Sequence, residues 1–347
     1  MVTSTTSRGE LTAAEAFKQR PVTGLQRIQR VLHKHPAISP FAVLVLAVIV
    51  FSIINERFLY PANLSLILQQ VAIVGALAVA QTLVILTAGI DLSVGALMVL
   101  VSIVMGNLAG VAGLPGPIAL LVGLLLGAAA GLLNGVLVAQ VKLPPFITTL
   151  GTLSIFTALA LLLSNGQVVD GDKLGGFLTW TATSFAIGPF NFTTGVLLVI
   201  VMYLVMGFVL SQTPWGRHVY AVGSDPAAAR LAGISTKRVL LSVYVVAGIL
   251  VALSAWVLLG RNGAATTSTA VDANLDSITA VVIGGTSLFG GRGRLLGTFL
   301  GAVIVGVFRN GLSLARVDVL YQTLAIGILI IAAVALDQWI RKTGAKR

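Results

Sequence analysis

Residues 216–238 read GRHVYAVGSDPAAARLAGISTKR, a polar and basic island between apolar runs long enough to cross a bilayer. Within the island a short helix is spelled out. Asp225 is an N-cap residue, Pro226 suits the first helical position, and Ala227 to Ala232 propagates a helix. Gly233 is placed to end it in a left-handed conformation. A capped helix between two spans reads either as a surface offered to another protein or as an ordinary connecting loop. The residues alone leave both readings open.

Outward from the island the chain is apolar. Of 347 residues, 57% are hydrophobic and 10% charged, where a soluble domain carries roughly 25% charged residues. An all-α polytopic membrane protein is expected, because the alternating pattern of a membrane barrel is absent. The 38 glycines lie largely inside apolar segments, which fits close helix packing. With no cysteine, disulfides and thiolate metal sites are excluded. The three histidines, His33, His35 and His218, lie in basic polar segments without the spacing of a metal pair, and no cofactor or metal is expected.

Ten spans are expected near 38–55, 63–88, 91–111, 117–140, 146–164, 193–211, 238–260, 274–289, 294–313 and 319–339. The eighth is short and ends in glycines, which suggests a broken or re-entrant helix. Residues 1–37 read as a basic N-terminal tail, in which 11–34 form an amphipathic surface helix or stay partly disordered. The transmembrane domain covers 38–340, with a polar loop at 212–237, and 341–347 is a C-terminal tail.

The net charge of +11 does not point to nucleic acid. Counting the whole 216–238 island, seventeen of the 22 Lys and Arg fall on the side of the N-terminus and five on the other. A missed span would invert every later loop, so this asymmetry supports the count and places both termini in the cytoplasm. The same parity sends residues 165–192 outward and the island inward. A fainter signal is the echo of Gly127 to Asn134-Gly135 in Gly301 to Asn310-Gly311, five spans apart and therefore inverted.

Few groups are placed to do chemistry. Gly89-Ile90-Asp91-Leu92-Ser93-Val94-Gly95 joins the second and third spans. There Asp91 either caps the third helix or lines the pathway as an intramembrane carboxylate. Gln81, Thr82, Asn134, Thr148, Thr149 and Asn310 are neutral hydrogen-bonding groups within spans. They suit an uncharged hydroxylated solute, or else interhelical hydrogen bonds. Gly123, Gly127, Gly131 and Gly135 form a packing ridge. The glycine-rich 284–293 stretch is not a phosphate loop, since no GxxxxGK[ST] occurs in the chain. No Ser/His/Asp set stands out, so catalysis within the chain is not expected.

Four stretches carry a family resemblance: QTLVILTAGIDLSVG at 81–95, LPPFITTLGT at 143–152, AAARLAGI at 227–234 and VVIGGTSLFGGRG at 281–293. Together they resemble the permease subunits of ribose-type sugar ABC importers. The likeness runs from about residue 40 to 340. It implies the fold of the vitamin B12-type importer permeases, with ten spans per subunit, in a bacterial plasma (inner) membrane. It also implies a second permease subunit, identical or paralogous, a separate ABC ATPase and an extracytoplasmic sugar-binding protein. By the same resemblance residues 226–232 form the coupling helix. Asp225, Pro226, Ala229, Arg230, Leu231 and Gly233 then seat it on the ATPase. The candidates to line the pathway, read from the residues themselves, are Gln81, Thr82, Asp91, Asn134, Thr148 and Asn310. The chain departs from the family at 261–273, RNGAATTSTAVDA, which lacks the expected proline. An ATP-driven sugar permease is the leading expectation; an ion-coupled secondary transporter, which needs ionisable groups deep in the membrane, and a channel subunit are the alternatives.

Overall fold

The computed structural model of the chain describes residues 38–268 and 272–344. The expectations for the N-terminal tail and for the last residues of the C-terminal tail lie outside the described residues. Thirteen α-helices carry the described chain. Ten of them are apolar: α1 (Ile38–Ile54), α2 (Pro61–Leu86), α3 (Val94–Gly110), α4 (Gly116–Ala139), α5 (Pro145–Ser164), α7 (Thr194–Gln212), α10 (Thr236–Asn262), α11 (Ala273–Ile283), α12 (Leu295–Leu314) and α13 (Val319–Gly344). Among the described residues six, namely α2, α4, α5, α7, α10 and α12, are long and apolar enough to cross a membrane; α1, α3 and α11 are shorter apolar helices, and α13 is apolar over Val319–Ile328. Between them lie α6 (Gly171–Thr179), α8 (Pro214–Ser224) and α9 (Pro226–Leu231). Strands β1 (Val169–Asp170) and β4 (Ala264–Ala265) pair antiparallel, and β2 (Ser184–Ile187) forms a hairpin with β3 (Phe190–Thr193).

The eighth span is shorter than its apolar run. Helix α11 stops at Ile283, because Gly284 and Gly285 follow and Gly285 takes φ +83°. Its 11 residues rise only about 16 Å, roughly half the hydrocarbon thickness. This fits the expected broken span. Its first turn meets that of α3, where Gly95 N donates to Asn274 Oδ1.

Two helices form the core, α2 and α10, and their apolar windows are 72% and 78% buried. Helix α2 packs on α11 and α12, and α10 packs on α3 and α4, a reciprocal arrangement that matches the inverted repeat. The chain reverses alike in both halves. Left-handed residues follow α2 and α10 at Ala88 and Gly263, α3 and α11 at Gly113 and Gly285, and α4 and α12 at Lys142 and Arg316. The glycine ridge of α4 is a packing surface, as its spacing suggests. A Cβ on Gly127 would overlap the Gly248 carbonyl of α10, and one on Gly131 would overlap that of Tyr244.

Candidate functional site

The island folds as the sequence spells it, with one helix more. Thr213 caps α8 by accepting from Gly216 N at 3.2 Å, and Pro214 occupies its first turn. Trp215 Nε1 donates to Ser242 Oγ at 2.8 Å, which fastens α8 to α10. Asp225 leaves the helical conformation with φ −154° and caps α9, accepting from Ala227 N at 2.8 Å and Ala228 N at 3.0 Å. Such a cap contributes about 1 kcal/mol. Gly233 ends the helix at φ +82°, and Ile234 N returns to the Ala229 carbonyl at 3.0 Å.

The six expected docking residues divide by exposure. Asp225, Pro226, Arg230, Leu231 and Gly233 are exposed; Ala229 is buried. Ala229 therefore packs α9 against the body of the protein, and the other five stand on its open side. Leu231 is 92% exposed, an isobutyl group held in the open by a helix capped at both ends. Arg230 Nε bonds the Pro226 carbonyl at 3.1 Å along the same helix.

The turn between α2 and α3 holds Asp91 as a buried group. Asp91 Oδ1 accepts from Ser93 N at 2.7 Å and from Ser93 Oγ at 2.6 Å. Helix α3 begins only at Val94 with Ser93 at its N-cap, so Asp91 orients the cap instead of forming it. Asn134 Nδ2 donates to the same Ser93 Oγ at 3.0 Å, and its Oδ1 is buried without a partner. Thr149 Oγ1 accepts from Leu92 N at 3.1 Å and stands 3.1 Å from the Ile90 carbonyl. Thr149, rather than Thr148, therefore ties α5 to this turn; Thr148 Oγ1 bonds the Pro144 carbonyl next to its own helix at 3.1 Å.

The remaining expected pathway residues do not join this cluster. Thr82 Oγ1 stands 2.9 Å from Thr298 Oγ1 and bonds the Ala78 carbonyl, an interhelical contact. Gln81 is fully buried, and neither polar atom of its amide has a partner. Asn310 lies at the opposite end of the bundle, where Asn63 Nδ2 donates to its Oδ1 at 3.0 Å. Asn63 and Leu86 are separated by about 35 Å of helix α2. Of the six residues, Asp91 and Asn134 meet at Ser93; Thr82 and Asn310 make separate contacts, Thr148 bonds beside its own helix, and Gln81 is buried without a partner.

One ionic feature escaped the sequence reading. Asp276 is 4% exposed and pairs with Arg309 of α12 at 2.8 Å. The interrupting Arg309 in an otherwise apolar run was its visible signal, since a charge within a span needs a partner.

With this geometry in place, the chain can be set beside known proteins. Residues 63–334 match the family model described as branched-chain amino acid transport system / permease component. The chain belongs to the ribose-type branch of ABC importer permeases. It is 48% identical to the fructose import permease protein of Rhizobium meliloti over 96% of this chain and 94% of the relative. It is 40% identical to the ribose import permease protein of Bacillus subtilis over 87% and 92%, respectively. A solved inward-facing ABC transporter of metal-chelate type superposes with a TM-score of 0.50 at 16% identity, over 85% of this chain and 98% of that one. That likeness concerns the fold alone. The permease is a multi-pass inner-membrane transport subunit that works with an ATPase and a substrate-binding partner, and ATP hydrolysis belongs to the separate chain.

Proposed function

We propose that this permease forms the translocation pathway for a monosaccharide or a similar neutral, polyhydroxylated solute, with two permease subunits side by side. Its relatives are import permeases named for fructose, ribose and allose. Apart from Asp91 and the Arg309-paired Asp276, the buried polar groups of its spans are neutral amides and hydroxyls, which suits a sugar. Both termini and α9 face the cytoplasm, where 17 of 22 basic residues fall.

The observation that carries the mechanism is the doubly capped α9 with Leu231 92% exposed. Burying that side chain in a pocket of the ATPase supplies about 2 kcal/mol, and Arg230 beside it selects a carboxylate. ATP binding and hydrolysis in the partner displace α9, and the permease pair alternates its access. A sugar-binding protein delivers solute from the opposite side. Reconstitution with the co-purifying ATPase and binding protein tests this reading. Fructose uptake is expected only with internal ATP; uptake driven by a sodium or proton gradient without ATP would overturn it.

A further inference from the structure

The α8–α9 junction meets the end of α2 backbone to backbone at Gly223. A Cβ on Gly223 would overlap the Leu86 carbonyl oxygen. The same oxygen accepts from Gly291 N at 2.9 Å. Gly290 and Gly291, at φ +80° and +68°, lie against Ala88, Gly223 and Ser224. Tyr220 Oη donates to the Gly293 carbonyl at 2.9 Å and fastens α8 to the same loop. Three segments remote in sequence therefore meet at one point: the end of α2, the end of α8 just before Asp225, and the loop ahead of α12.

From that point the chain runs directly into residues 87–93, whose far side is held by α4 and α5. Asn134 holds Ser93, and the Thr149 hydroxyl accepts from Leu92 N at 3.1 Å while its one proton is shared between the Ile90 carbonyl at 3.1 Å and the Pro145 carbonyl of its own helix at 2.9 Å. Helix α5 is the least enclosed of the long spans, with 28% of its apolar window buried, and it packs chiefly on α3 and α4. A backbone-on-backbone contact has no side-chain rotamer to absorb a displacement, and a packed interior transmits one.

We infer that the Leu86–Ser93 turn is a relay that carries movement of α9 to the first turn of α5, with Thr149 as its positioning residue. The inference rests on α9 being the ATPase-docking helix. Gly223 supplies the rigid input contact and Thr149 the output contact. The free face of α5 is then the wall that moves.

The chain has no cysteine, so spin labels are placed cleanly at Ile147→Cys in the first turn of α5 and Leu204→Cys on α7. Both positions are exposed. In the reconstituted complex with its ATPase, the label separation is expected to change on vanadate trapping with ATP. In Thr149→Val the ATPase stays bound and hydrolyses ATP, the separation no longer changes, and fructose moved per ATP falls about fivefold or more, an ordinary coupling between sites. Thr149→Ser keeps the hydroxyl and restores both readouts. Gly223→Ala, which wedges the input contact, gives the same uncoupling. Wild-type behaviour of Thr149→Val overturns the relay, as does failure of that variant to assemble, which would make the hydroxyl a folding contact. If no ATPase binds the unsubstituted permease, the docking reading fails first and takes the relay with it; if ATPase binding is normal and α5 stays still, the relay alone fails.

Discussion

Arg309 Nη2 lies 2.8 Å from both carboxylate oxygens of Asp276. A second carboxylate, Asp272, stands 3.7 Å from the same nitrogen. The Asp276 side chain is 6% exposed and the Arg309 side chain 35%, so the pair is buried on one side only. The pair joins α11 to α12 at the start of the short helix. Asp276→Ala leaves a guanidinium without its nearest counter-charge. Removing one partner of a buried pair costs 3–5 kcal/mol, and the partial exposure of Arg309 puts the expected loss near the lower end, about 3 kcal/mol. The double variant Asp276→Leu, Arg309→Leu is expected to recover most of it, because two apolar groups need no compensation. Thermal unfolding in detergent measures both; equal losses in single and double variants would remove the ion pair from the account of α11.

The cap of α9 makes a second prediction. Six residues do not hold a helix in water without tertiary support, because nucleation is unfavourable. Asp225→Ala removes both bonds to Ala227 N and Ala228 N, worth about 1 kcal/mol. The ordering cost then appears on docking, and ATPase affinity is expected to fall roughly fivefold. Arg230→Glu is expected to abolish docking while membrane insertion stays intact. Co-purification of the ATPase at the unsubstituted level with Arg230→Glu would remove α9 from the interface.

These two cases show what the sequence makes legible. Helix ends are local, so Asp225, Pro226 and Gly233 announce α9, and hydropathy announces the spans to within a few residues. The early stop of α11 at Ile283 was signalled by its glycines, though not its position. Pairing across the bundle is another matter. Asn63 meets Asn310 across 247 residues of sequence, and no local pattern encodes that contact. Thr148 and Thr149 are adjacent and chemically identical; only the packing of α5 on the 87–93 turn decides that Thr149 bonds it. The β2–β3 hairpin was missed because strands of four residues between two spans carry too little periodicity.

Glycines with no room and glycines with space are expected to respond in opposite senses. On Gly248 of α10 a Cβ would overlap the Gly127 carbonyl, so Gly248→Ala must push α4 away and lower the yield of folded protein. Gly207 of α7 has nothing within 4 Å of an added Cβ. There alanine restores helix propensity, a gain of about 0.8 kcal/mol. Melting temperatures of the two variants in the same detergent decide it, and the same sign for both would be inconsistent with the close α4–α10 approach.

Gln81 separates stability from transport. Its side chain is fully buried, and both amide atoms lack a partner. A buried polar group without a hydrogen bond costs roughly 1–3 kcal/mol. Gln81→Leu keeps most of the volume and removes that penalty, so the folded permease is expected to melt higher. A permanent hydrogen-bonding partner within the fold would give the opposite result, because the substitution would orphan it. If the amide is kept for the passing solute, sugar uptake falls in the same variant although stability rises. Higher stability with unchanged uptake would leave Gln81 outside the pathway, and lower stability would mean that water or a neighbouring group satisfies the amide in the membrane.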